Sequence, residues 1–157
     1  MAQTIAVADA DFLMNESKAG LSIKEQLKSK KEAYKKEFQD TQSEFQEQEK
    51  ELLSKRESLP VEEFQSKAQE FTTKLAKEEI EFKKKRAELD ASVQKALAEL
   101  QAKIGETIQV VAKEKNVDFV MPKQGLLYAA AGQIDLTQDV LKKLNKEVTR
   151  IEIQSGK

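Results

Sequence analysis

The sequence predicts an α+β fold: a long antiparallel α-helical coiled-coil hairpin, or tentacle, projecting from a small β-structured oligomerisation head. Three observations predict it. From Leu27 to Val111 large apolar residues recur at helical spacing through charged sequence. Pro60, one of only 2 prolines, interrupts that pattern near its middle. Short runs of alternating branched apolar residues stand at both ends of the chain. With 157 residues, 35% charged and 39% hydrophobic, the chain is long enough for one domain but too polar for an ordinary compact one.

Residues 4 to 8, running up to Asp9, alternate small and branched apolar side chains and are expected to form a short strand. "DFLMNESKAGLSIKEQL" then opens a helix, with Asp11 or Asn15 as candidate caps. From Leu27 the stripe runs through Tyr34, Phe38, Phe45, Leu52 and Leu59, in steps of seven with a single four, and Lys31, Thr41 and Gln48 fill the alternate seam positions. Such a seam is thin. After Pro60 the stripe resumes at Phe64, Ala68, Phe71, Leu75, Phe82 and Leu89, then thickens through Val93, Leu97, Leu100, Ile104, Ile108 and Val111.

Folding the chain back at Pro60 lets each thin stripe cover the other. Proline lacks the amide that a continuing helix needs, so it ends the first helix and suits the opening turn of the second, where Glu62 and Glu63 complement the helix dipole. Helices over roughly 16 to 58 and 61 to 114 would be about 60 to 80 Å long at about 1.5 Å per residue. Beyond them, Val117 to Met121 and Leu126 to Ala130 are expected as strands around a "PKQG" turn, and "DLTQDVLKKLNK" as a helix capped by Asp135 or Thr137. "VTRIEI", 148 to 153, is either a last strand or a tail.

The expected domains are a head formed by 1–22 plus 112–157, and an arm formed by 23–111 with its tip near Pro60. A head of about 68 residues buries proportionately little surface and exposes strand edges, so a homo-oligomer is expected.

Function classes narrow by exclusion. With no cysteine and no histidine, thiol nucleophiles, disulfides, most zinc sites and the usual neutral-pH base are removed. The 5 glycines are too scattered to cradle a nucleotide. The chain is therefore expected not to be an enzyme and to use no cofactor and no metal; acidic pairs such as Asp9 with Asp11, or Glu78 with Glu79, are read as caps and solvated faces. A net charge of -1 steers it toward neither nucleic acid nor an anionic membrane. No apolar run approaches the roughly 18 residues of a membrane span, and the start lacks the layout of a secretory signal, which leaves a cytosolic protein or a mature exported one.

Two features of the arms remain. The runs "KSKKEAYKK" and "KKKR" place Lys30, Lys31, Lys35, Lys36, Lys83, Lys84, Lys85 and Arg86 in one basic zone if residue 35 lies beside about 84, although interleaved Glu32, Glu37 and Glu81 also fit ordinary ion pairing on a solvent face. Phe38, Phe45, Phe64, Phe71 and Phe82 lie on the apolar stripes and zip the hairpin; a stripe one residue wide also leaves aromatic edges open to a client.

The start "IAVADADFLMNESKAG", the charged hairpin and the ending "VDFVMPKQGLLYAAAGQIDLTQDVLKKLN" together resemble the Skp (OmpH-like) family of periplasmic chaperones. The resemblance covers nearly the whole chain, and its most specific pieces are "NESKAG" and "LLYA...IDLTQDVLK". It implies a homotrimer whose tentacles enclose a cavity, and an ATP-independent holdase that keeps unfolded outer-membrane β-barrel proteins from aggregating before membrane insertion. On that reading Ile5, Val7, Phe119, Val120, Leu126, Leu127 and Tyr128 build the oligomer interface. It also implies a periplasmic location, with a signal peptide removed and Met1 standing in its place. The chain's near-neutral charge gives no ground for assigning a lipopolysaccharide or membrane site, so membrane contact stays open. The tail from Glu147 onward runs past the usual end of the family's pattern. A tethering coiled-coil spacer and a cytosolic prefoldin-like chaperone are the alternatives.

Overall fold

The structure is a computed structural model and describes residues 2–154. It divides into two compact units, one of residues 2–27 with 91–154, the other of Lys28–Asp90. Together they form an α+β protein with a small three-stranded sheet and a long helical hairpin.

In the first unit, β1 (Ile5–Ala8) is the central strand of a sheet ordered β2-β1-β3, with β2 at Phe119–Pro122 and β3 at Ile134–Asp135. Both neighbours are parallel to it: Ile5 aligns with Phe119 and Val7 with Met121 on one side, Ala6 with Ile134 on the other. A strand paired on both edges can afford small side chains, and Ala6, Val7 and Ala8 are buried. Parallel pairing needs crossovers, and the whole helical hairpin supplies the one between β1 and β2.

This topology overturns the expected strand at Leu126–Ala130. Lys123–Gly125 forms a 3-10 turn, closed by the Leu126 amide on the Lys123 carbonyl, in place of a hairpin turn. The chain then carries Leu127 and Tyr128 into solvent and turns through Gly132, whose φ of 90° lies where an L side chain is strained. Ile134 thereby reaches the far edge of β1, where the Gln133 side chain donates from Nε2 to the Ile5 carbonyl. The alternation in "LLYAA" imitates a strand, but among the described residues the segment pairs with no strand.

The first helix differs from expectation at both ends. Asp9, not Asp11 or Asn15, caps α1 (Ala10–Glu16), accepting from the Phe12 amide at 2.9 Å. Ser17 then takes an extended ψ of 152° and separates α1 from α2 (Lys18–Ser54), so the helix expected from about residue 16 is broken there. The buried Ser17 hydroxyl accepts from the Gly20 amide, and Asn145 of α4 (Thr137–Glu147) accepts from the Lys18 amide at 2.8 Å, so the new helix start is capped twice. Gly20 is required at this break, since a Cβ there would lie 1.9 Å from the Met14 carbonyl oxygen. At its far end α2 stops at Ser54, before the expected 58, because tighter i→i-3 bonds from the Lys55 and Arg56 amides take over.

The second helix, α3, runs Val61–Glu114 with Glu62 and Glu63 in its first turn. Pro60 precedes it, and its carbonyl accepts the Phe64 amide at 2.9 Å. The core lies almost wholly in the first unit. Val93, Ala96, Leu100, Ile104 and Val111 form the buried stripe of α3, joined by Leu13, Ile23, Leu136, Val140 and Leu144. In the second unit Leu89 is the one buried apolar residue among those described. Residues 148–153, expected as a strand or a tail, form no strand, yet Ile151 and Ile153 are buried. Among the described residues no helix is long and apolar enough to cross a membrane.

Candidate functional site

In the second unit the seam between α2 and α3 is built from aromatic rings that pair across the two helices. Phe38 meets Phe82 edge-on with ring centroids 5.2 Å apart, and Phe45 meets Phe71 at 5.6 Å. The earlier ring of α2 meets the later ring of α3 and the later ring of α2 meets the earlier ring of α3, which fixes the two helices as antiparallel. Each pair contributes about 0.5 to 1.5 kcal/mol beyond the area it covers. Coverage is nevertheless incomplete: Phe38 remains 50% exposed and Leu75 39%, while Phe45, Phe64, Phe71 and Phe82 are half-buried. A seam this sparse in rings closes the hairpin and leaves apolar edges exposed.

The basic zone adjoins these rings. Lys31, Lys35, Lys83, Lys85 and Arg86 line a groove of about 680 Å³ whose floor is Tyr34, Phe38, Phe82 and Leu89. Lys85 pairs with Glu37 and sits 5.7 Å above the centre of the Phe82 ring, a cation–π arrangement. The Glu37 hydrogen bond holds the Lys85 ammonium above the ordinary lysine range. Glu79 and Asp90 also line the groove, so its charge is mixed. Lys36 and Lys84 are exposed but do not line it, and Lys30 is half-buried. A second groove of about 270 Å³ runs along the same seam past Phe45, Phe71 and Leu75.

In the first unit, the proposed interface residues fall into different environments. Ile5 and Phe119, aligned across the sheet, are 44% and 51% exposed. Leu127 and Tyr128 are almost wholly exposed on the loop, Val120 and Leu126 are half-buried, and Val7 is buried within this chain. Met121 and Ile134 were missed by the sequence reading. Both are apolar, exposed and on the two outer strands, and their signal was position on a sheet edge, which the misplaced third strand concealed.

Polar contacts hold this unit's edges. Asp135 accepts from the Thr137 amide and hydroxyl at the start of α4 and from Lys123 at 3.0 Å. Burial works to raise its carboxyl, but these hydrogen bonds outweigh burial and hold it below the ordinary aspartate range. Lys143 to Glu114 ties α3 to α4, and Lys115, just past the end of α3, pairs with Asp139. Among the described residues no group of three or more acidic side chains is arranged to hold a metal ion.

A short parallel sheet joined to a helical hairpin with an aromatic seam defines a hairpin-and-head class of α+β protein. The OmpH-like outer membrane protein family matches this chain over residues 4–144, and the chain belongs to that family. A solved OmpH-like protein from Caulobacter crescentus CB15, described as a candidate outer membrane chaperone, superposes with a TM-score of 0.90 at 15% identity, covering 100% of this chain and 92% of its own. At that identity the likeness is one of fold. Comparison with curated proteins gave no significant match.

Proposed function

We propose that this protein is an ATP-independent holdase that binds unfolded outer-membrane β-barrel proteins between its helical hairpins and keeps them from aggregating before insertion. The observation that carries this reading is the half-covered seam, where Phe38 meets Phe82 edge-on yet stays half exposed beside a groove rich in lysine. Unfolded β-barrel strands alternate apolar and polar residues, and many weak contacts along such a seam hold them by avidity. Release is passive: the client leaves when folding or insertion buries its apolar surface better than the seam does. Family membership and the Caulobacter crescentus neighbour support the chaperone reading and a periplasmic location.

The division into a head of 1–22 plus 112–157 and an arm of 23–111 belongs to this proposal, as does assembly into a homotrimer. The unpaired outer edges of β2 and β3 and the exposed Ile5, Phe119, Leu127 and Tyr128 favour self-association. The holdase has no catalytic role. Dilution of a urea-denatured outer-membrane β-barrel protein into buffer tests the reading: light scattering should be suppressed by the protein without nucleotide and be unchanged by ATP. Undiminished scattering would favour the tethering spacer.

A further inference from the structure

One buried polar side chain plays no part in the seam. Gln26 lies on the face of α2 that also carries the buried Ala19 and Ile23, one turn from Ser22. Its amide meets the C-terminal segment twice: Nε2 donates to the Ile151 carbonyl at 2.8 Å, and Oε1 accepts from the Ile153 amide at 2.9 Å. The Ile151 amide donates to Ser22 Oγ at 3.3 Å. A primary amide that offers one donor and one acceptor to residues i and i+2 of an extended chain acts as a strand partner made of side-chain atoms. Ile151 and Ile153 are buried while Glu152 is exposed, which is the alternation of a β-strand.

These contacts are all to main-chain atoms, so the clamp selects an extended backbone with apolar side chains two apart and reads no other identity. Its occupant lies beyond residues 4–144, where the family match ends, and has no regular secondary structure.

We propose that the Ser22–Gln26 face of α2 is a receptor site for extended polypeptide with apolar residues two apart, and that residues 151–153 are its exchangeable occupant. The proposal rests on the holdase reading only for the source of the competing segment, since unfolded β-barrel chains are built of such alternating stretches. If the tail leaves, Gln26 loses its two partners on the tail and keeps only the Nε2 bond to the Ser22 carbonyl at 3.2 Å, and a new extended strand restores both lost bonds. A tethered occupant acts at high effective concentration, so the tail excludes segments that bind weakly and yields to those that bind well.

Full-length chains test this. A fluorescent peptide with the sequence of residues 148–154 is titrated into the wild type, into Ile151→Asp/Ile153→Asp, and into that variant carrying Gln26→Ala. The double variant should bind the peptide at least tenfold more tightly than the wild type, and the added Gln26→Ala should abolish the gain. A peptide with its two isoleucines made adjacent should not bind. Equal binding by the wild type and the double variant, or by the double and triple variants, overturns the proposal. If the double variant does not fold, hydrogen exchange on the wild type decides. The Ile153 amide should be protected and should exchange at least tenfold faster in Gln26→Ala and in excess peptide; exchange indifferent to peptide marks a fixed strap and refutes the site. Peptide binding without suppression of aggregation would keep the site and remove the holdase reading, and the reverse result would remove the site alone.

Discussion

Gly20 and Asp135 show how single residues set the ends of elements. The Cβ of Gly20→Ala would fall 1.9 Å from the Met14 carbonyl oxygen, so the α1–α2 junction must move. Overpacking of this kind costs about 1 to 3 kcal/mol, and a lower denaturant midpoint with unchanged slope should report it. Asp135 is a matter of charge. Its carboxyl is held below the ordinary aspartate value, so the stability it contributes is present above the unfolded-state value and is lost as pH falls through the folded one. The wild type should therefore lose stability on acidification below about pH 4, and Asp135→Asn should flatten that part of the melting-temperature profile while costing about 1 kcal/mol or less near neutrality. An acid limb unchanged by the substitution would show that Asp135 does not carry it.

Among the elements, the two stretches of α3 differ in what they bury. Leu100 is fully buried in the first unit, and Leu100→Ala should cost about 2 to 5 kcal/mol. Phe82 is half-buried in the second, and Phe82→Ala should cost less, with faster hydrogen exchange confined to Lys28–Asp90. Exchange that rises across both units would contradict a seam that is energetically local. These contrasts were legible in the sequence, because apolar spacing of three and four thickens after Val93 and stays thin before it. The bounds of α3 were legible for the same reason, with a proline at one end and the loss of period at the other. The break at Ser17 was not, since it arises from Asn145, more than a hundred residues away in sequence, capping the Lys18 amide. Nor was β3, only 2 residues long and paired through a crossover that no local pattern records.

For the whole molecule, the fold was carried by the apolar period and its break at Pro60, the family by motifs near the two ends, and the candidate surfaces by side-chain type alone. Counting from Pro60 placed residue 35 beside about 84, and the Phe38–Phe82 ring contact lies close to that register. The sequence did not foretell that Val7 is buried within its own chain, or that Gln26 receives the tail, because burial by distant segments has no periodic signature. The central claim is that an unfolded client contacts the exposed edges of the seam. A photo-crosslinking residue at position 38, compared with one at Thr73, whose hydroxyl is spent on the Gln69 carbonyl of its own exposed helix face, tests it most directly. Position 38 should capture a denatured β-barrel protein several-fold more efficiently than position 73. Equal capture at the two positions, or none at 38, would contradict the account.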